Sequence, residues 1–244
     1  SRVRDTERKI ITVEDPVEYQ LEGTSQIQIR ADIGLTFASG LRSILRHDPD
    51  IILVGEIRDS ETAEIAIRSA LTGHLVLSTL HTNDSVGAVN RLVDMGAEPY
   101  LVAASLIASL AQRLVRRICR HCKAEDTSVS PRIRKEIADT LDIPPEDVKA
   151  YYGRGCPECS ESGYRSRVAI FELFLLDEEI QEMVASRVSA SELRRAAKRN
   201  GMRMLREDGW EKVIEGNTTI EEITRITGAM QISYHVPEKA TATE

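Results

Sequence analysis

Two groups of side chains in this sequence have the types and spacing to do chemistry. The first is acidic. Glu14 and Asp15 close the β-branched run "IITV", and Glu56 closes "IILVG". A third apolar run, "LVLSTL", leads into His81, and His74 precedes it. If these runs are strands of one parallel sheet, Glu14, Asp15, Glu56 and His81 reach its C-terminal rim, where open α/β sheets bind their ligands. Carboxylates gathered there suit a Mg²⁺ ion and an attacking water. Phosphoryl transfer needs both, because the metal neutralises charge and a base orients the nucleophile. The second group is sulfur. All four cysteines fall into two Cys-x-x-Cys pairs, Cys119/Cys122 and Cys156/Cys159. Two such turns supply four thiolates for a tetrahedral Zn²⁺.

Each residue also has a plainer reading. A single acid after a strand serves as well for a helix cap or a loop solubiliser, and His74 and His81 could each be structural. "HDPDIILVGE" alone is a weak match to an ATPase acidic strand, since Gly55 stands where the usual aspartate would be. For the cysteines the alternatives are disulfides or a redox pair. Disulfides fit poorly in a chain with no charged-then-apolar leader, and two pairs with no other cysteine favour metal. The stretch between the pairs is longer than a compact zinc ribbon requires, so a small subdomain must fill it. Binding free energy at such a site is on the order of 10 kcal/mol, more than a polar, aromatic-poor segment gains by burial, so the subdomain is expected to depend on its metal.

Elements must hold these groups in place. "KIITVED", "SQIQIR", "DIILVGE" and "HLVLSTL" read as strands, and the continuous apolar runs among them as strands buried on both faces. "LTFASGLRSILR", "SETAEIAIRSAL" and "DSVGAVNRLVDM" carry helical periodicity, with Ser60 and Asp84 as N-caps. Strands alternating with helices imply βαβ units and a mostly parallel sheet. Near Arg116 the chain turns basic, polar and cysteine-bearing, then rich in Pro, Gly and Ser. After one apolar run, "VAIFELFLL", it continues as short amphipathic helices and ends in an aperiodic tail.

Composition narrows the class. Of 244 residues, 41% are hydrophobic but only 4% aromatic, so the core is built from aliphatic side chains. A formal charge of −7 disfavours general nucleic-acid binding. The longest apolar-rich run, "LVAASLIASLAQRLVRRI", is broken by Gln112 and Arg113 and is too short and charged to span a membrane. The expectation is a soluble, cytoplasmic protein.

Taken together and in order, "ITVEDPVEYQLEG", "TFASGLRSILRHDPDIILVGEIRDSETAEIAIRSALTGHLVLSTLHTNDS" and "CRHC…GCPECSESGY" resemble the secretion ATPase superfamily, and within it the assembly motors of type II secretion and type IV pili. The resemblance covers about residues 9 to 228: an acidic box at Glu14 and Asp15, a Walker B box ending at Gly55 and Glu56, and a histidine box from Thr72 to Asp84. In that family a glycine at position 55 is normal. The resemblance implies Glu14 as general base or water-positioning acid, Glu56 acting on Mg²⁺ and the water, and His81 at the γ-phosphate side. It places Asp15, Gly55 and His74 in the nucleotide site, and Cys119, Cys122, Cys156 and Cys159 on a zinc that assembly motors carry and retraction motors lack. Arg30, Arg42, Arg46 and Arg58 lie near the expected site, but Asp32 and Ser39 stand where basic residues are expected, and "GYRSR" replaces the usual Gly-Tyr-x-Gly-Arg, with Ser166 for glycine.

The implied architecture is α/β: a partial RecA-like P-loop NTPase core (1–115), a Cys₄ zinc subdomain (116–166), a helical C-terminal domain (167–230) and a flexible tail (231–244). The implied cofactors are ATP, Mg²⁺ and Zn²⁺. The implied assembly is a hexamer on the cytoplasmic side of the inner membrane, peripheral to it, working with platform and accessory proteins and without nucleic acid. None of the 14 glycines is followed by lysine, so the phosphate-binding lysine loop, which the family carries before the acidic box, is expected upstream of Ser1. A rival reading is a non-catalytic zinc scaffold that docks on a membrane platform protein. A DNA-transport relative is disfavoured by the cysteine pairs.

Overall fold

Four short runs become strands of one parallel sheet in the computed structural model, which describes residues 8–228. They are β1 (Ile10–Glu14), β2 (Ser25–Gln28), β3 (Ile51–Val54) and β4 (Leu75–Ser78), in the order β2–β1–β3–β4. All three pairings are parallel, and Val13, Val54 and Ser78 stand in step across β1, β3 and β4. Parallel strands need crossovers. Helix α1 (Phe37–Ile44) leads into β3 and α2 (Ser60–Leu71) leads into β4. Ile51, Ile52 and Val54 are buried, as the continuous apolar run predicts. β4 departs from that expectation. It lies at the edge of this sheet, and Leu75 and Leu77 are 40% and 44% exposed.

The helices are stopped and started by local chemistry. Thr36 and Ser39 form a reciprocal capping box at α1, whose buried Phe37, Leu41 and Ile44 follow helical spacing. At α2 the cap is Asp59 and not Ser60: its carboxylate accepts from Thr62 N at 2.8 Å, and Ser60 is the first helical residue. At α3 (Gly87–Asp94) the N-cap position is Val86, which makes no side-chain cap bond, and Asp84, two residues earlier, supplies the acceptor instead, taking Gly87 N at 2.7 Å. The apolar run after it divides into α4 (Pro99–Ser105) and strand β5 (Ala108–Ile118), which buries Ala111, Val115 and Ile118.

The remainder comprises β6 (Lys123–Glu125), α5 (Pro131–Leu141), β7 (Tyr151–Gly153), β8 (Tyr164–Leu175), α6 (Glu178–Ala185), α7 (Ala190–Arg199), α8 (Leu205–Ile214) and α9 (Ile220–Ile226). β6 pairs with β7 antiparallel, and β5 with β8. All four terminal helices match the amphipathic segments expected from sequence.

These elements form two units. One joins the chain up to Ala111 with Glu172–Met202; the other joins Gln112–Phe171 with the chain from Arg203. The helical stretch expected as one domain at 167–230 is therefore shared out. In the first unit α6 packs on α4, and in the second α8 packs on α5. The apolar faces of these short helices find separate partners, Ile180 and Val184 in one unit, Trp210 and Val213 in the other. The tail expected at 231–244 lies outside the described residues.

A buried carboxylate holds the second unit together. Glu222 is fully buried and accepts from Arg116 N (2.9 Å), Arg116 Nη2 (2.8 Å) and Arg225 Nη2 (3.0 Å). Burial alone pushes its pKa up, but these donors outweigh burial and bring it down to about 2. Glu222→Ala should cost about 2 kcal/mol, because it leaves the Arg116 backbone N–H without its acceptor and opens a void, while the half-exposed Arg116 and Arg225 side chains can turn to solvent. The depressed pKa gives the sign with pH. The contribution is complete above the ordinary carboxyl value of 4.5 and is lost as pH falls toward about 2. Thermal melts of both proteins from pH 7 to pH 2 should show a gap that is constant above about pH 5 and closes in acid.

Candidate functional site

The in-step ends of β1, β3 and β4 set the candidate site. Glu14 is the last residue of β1. Its Oε1 accepts from Thr12 Oγ1 at 2.5 Å and from Gln26 Nε2 at 2.9 Å. Thr12 shares a strand face with Glu14 by the two-residue period, and Gln26 is its register partner on β2. Among the described residues Oε2 takes no hydrogen bond. The carboxylate is thus held by one oxygen and open at the other.

Glu56 repeats the pattern two residues beyond β3. Its side chain is 13% exposed, and Oε2 meets both Arg58 Nε at 2.6 Å and His81 Nε2 at 3.0 Å. Among the described residues Oε1 is open. The Arg58 hydrogen bond dominates its electrostatics and, with His81, lowers the carboxyl pKa despite partial burial. Glu56 is therefore an anion at neutral pH. Arg58 is stabilised as a cation chiefly by Glu56, and Asp15 adds to the field from the end of β1.

Backbone contacts tie the rim together. Gly55 N donates to Val13 O at 2.8 Å, Ile57 N donates to Thr79 O at 3.1 Å, and Thr79 Oγ1 donates to Gly55 O at 2.7 Å. A Cβ on Gly55 would lie 3.3 Å from Val13 O and 3.4 Å from Glu14 Cα. The glycine lets the two acid-bearing strand ends run side by side, which accounts for its place in the acidic strand.

The structure thus brings Glu14, Asp15, Gly55, Glu56 and His81 to one rim. It does not bring His74 there. His74 precedes β4, at the sheet's opposite end, with Nδ1 2.9 Å from Ser69 O and 3.1 Å from Thr72 Oγ1. It closes the C-terminus of α2, the structural role a histidine box motif hides. Of the four nearby arginines only Arg58 reaches an acid of the rim. Arg30 pairs with Asp32, Arg42 with Glu61, and Arg46 with the Arg42 carbonyl. Thr12 and Gln26 were not legible as partners of Glu14, though the polar alternation of "SQIQ" was the available signal.

The cysteines form the second site. Their sulfurs all lie within 4.8 Å of one another. Cys119–Cys156, Cys122–Cys159 and Cys156–Cys159 are 3.8, 3.9 and 3.6 Å apart, and no pair is a disulfide. Tetrahedral thiolates about 2.3 Å from a zinc stand about 3.8 Å apart, so the donor set fits that ion. Burial pushes the Cys156 thiol up to about 12, with the neighbouring thiols adding to it. At Cys159 burial acts the same way, but the N–H groups of Gly163 and Cys156 outweigh it and bring the thiol to about 7. Such a cluster is costly to ionise without a cation. The two knuckles are joined through glycine: Cys119 N donates to Gly163 O at 2.9 Å, and a Cβ on Gly153 would fall 2.0 Å from that same oxygen.

Residues 1–225 match the family described as "Type II/IV secretion system protein". The chain belongs to that family. It is 50% identical over 227 residues to the type II secretion system protein HxcR of Pseudomonas aeruginosa, covering 93% of this chain and 44% of that relative. It is 48% identical over 222 residues to the type IV pilus assembly ATPase PilB of Thermus thermophilus, covering 91% and 25%. A solved structure of the pilus retraction motor PilT with bound ADP superposes with TM-score 0.65 at 26% identity, covering 91% of this chain and 53% of that one. The chain thus spans less than half the length of these two curated relatives, and its α/β fold is that of secretion and pilus ATPases. Among the described residues no helix is long and apolar enough to cross a membrane.

The cysteine geometry makes a direct prediction. Elemental analysis of purified protein should find about one zinc per chain. Removal of the metal by a chelator, or Cys119→Ser, should expose residues 112–171 to proteolysis. Disulfides within each pair and no bound metal would refute the assignment.

Proposed function

We infer that this chain is the catalytic part of a motor that hydrolyses ATP to drive assembly of a pilus or pseudopilus. The observation that carries this reading is the pair of half-tethered carboxylates. Glu14 and Glu56 stand on adjacent strand ends, and among the described residues each is fixed through one oxygen and open at the other. A water-positioning base needs that arrangement, being oriented yet able to accept. In this reading Glu14 orients the attacking water and takes its proton. Glu56, anionic and rigid, faces the metal, and Asp15 supports the charge there. His81, on the same oxygen of Glu56 as Arg58, faces the γ-phosphate. Mg²⁺ bound with ATP would neutralise the charge that develops on the transferred phosphoryl group.

Family membership supports ATP as the nucleotide. The site also needs a phosphate-cradling lysine loop, which this sequence does not contain. We assign that loop to a strand placed along the open edge of β4, where exposed Leu75 and Leu77 would be covered. The cysteine cluster favours an assembly motor, with zinc as a structural ion. We further assign the motor to a hexamer at the cytoplasmic face of the inner membrane, bound to its platform and accessory proteins. The scaffold reading has less support, since a docking module has no need of two poised acids.

In the full-length protein Glu14→Gln should retain ATP binding and lose about 100-fold or more in turnover. Glu56→Gln should also slow hydrolysis and raise the Mg²⁺ concentration required. Residues 1–244 alone should show no measurable hydrolysis. Steady-state ATPase assays beside nucleotide affinity and thermal melts decide the matter. Near-normal turnover in both variants, with folding intact, would remove these acids from the reaction.

A further inference from the structure

The loop that carries His81 is anchored twice, from opposite sides. At its start, Thr79 is bonded to Gly55 and Ile57, as described above. At its end it is held by residues far away in sequence. Glu172, on β8, is buried at 1% exposure, and its Oε1 accepts from Ser85 N at 2.9 Å and Ser85 Oγ at 2.6 Å. Ser85 is equally buried. Arg194, on α7, donates from Nη2 to Asp84 Oδ2 at 2.5 Å, while Asp84 Oδ1 accepts from Gly87 N. Thr82 Oγ1 donates to Asp84 O at 2.9 Å, which tightens the turn between the anchors. All these residues belong to one unit.

His81 itself is highly exposed, with 81% of its side chain in solvent. Its reach to Glu56 depends on where its backbone is held, because packing does not confine the ring. Between Thr79 and Asp84 the chain spans few residues, so fixing both ends leaves it few conformations. A buried carboxylate that accepts from a backbone N–H and from the hydroxyl of the same residue is a rigid tether, since releasing the loop would give up two hydrogen bonds made away from water. The Arg194–Asp84 pair is a charge-assisted bond in a partly buried setting and acts as a second tether.

We propose that Glu172 and Arg194 are positioning residues for His81: they clamp the far end of its loop and so keep the imidazole on Glu56. The proposal rests on the role assigned to His81 under Proposed function. It also gives α7 and the last part of β8 a part in the site, although neither supplies a group that touches it.

The test uses the full-length protein with Arg194→Gln, Arg194→Lys and Glu172→Gln, alone and combined with His81→Ala. Hydrogen–deuterium exchange by mass spectrometry should show faster exchange in the peptide covering residues 79–87 of the Gln variants, with peptides of β1 and β3 unchanged. Turnover should fall about 10-fold with KM for ATP unchanged, and Arg194→Lys should recover most of it. In the His81→Ala background the clamp variants should add no further loss, because they act through that ring. Unchanged exchange at 79–87, or an undiminished loss of turnover in the His81→Ala background, would overturn the proposal. Wild-type turnover in His81→Ala alone would instead refute the role given to His81, while the exchange data would still report whether the clamp exists.

Discussion

The parallel, in-step pairing of β1, β3 and β4 is the constraint on which the rest depends. Parallel strands end on the same side, so residues that follow Val13, Val54 and Ser78 arrive together. Two acids and a histidine from segments tens of residues apart meet because of that register. One residue of slip would turn Glu14 to the other face. Gly55 eases this pairing, since a Cβ there would come within 3.3 Å of the Val13 carbonyl oxygen. The electrostatics follow from the geometry. Glu56 meets two donors on one oxygen and stays ionised, which places a fixed Glu56–Arg58 ion pair at the rim.

The same constraint explains what could and could not be read from the sequence. Glu14, Glu56 and His81 were legible because each follows an apolar run, and strand ends are visible as changes of composition. His74 misled because it lies inside the same motif as His81. A strand separates them, and strand polarity sends them to opposite rims. Leu75 and Leu77 read as buried because apolarity reports what a strand can cover and not whether it is central or at an edge. Ser60 and Asp59 are both good caps, and only geometry chooses between them. The division of the terminal helices between two units was not legible, because each helix shows its apolar face without naming the surface that receives it. Glu172 and Arg194 were invisible for a related reason: their partners lie about a hundred residues away, and nothing local marks a carboxylate in a strand as a tether.

The second unit achieves order by other means. Its Cys119–Cys159 segment is polar and poor in aromatics, and its sulfur cluster is spaced for a tetrahedral ion. Around that cluster, close glycine packing and cation–π contacts do what a larger apolar core does elsewhere. Lys123 stands 4.1 Å over the Tyr151 ring, and Arg116 stands at the same distance over Tyr164. Arg116 also donates to buried Glu222, so one side chain links the strand leading into the first knuckle to the last helix. Two tethered buried carboxylates, Glu172 in one unit and Glu222 in the other, thus do comparable work by different routes. The first fixes a loop, and the second fixes a fold.

The central claim is that the open oxygens of Glu14 and Glu56 face a bound nucleotide. A structure of the full-length protein with Mg²⁺ and a non-hydrolysable ATP analogue tests it most directly. The account predicts a water in line with the γ-phosphate within about 3 Å of Glu14, and the Glu56 carboxylate in hydrogen-bond contact with the metal's bound waters. A nucleotide seated away from this rim, with Glu56 still closed on Arg58 and His81 and no ordered water at Glu14, would contradict it.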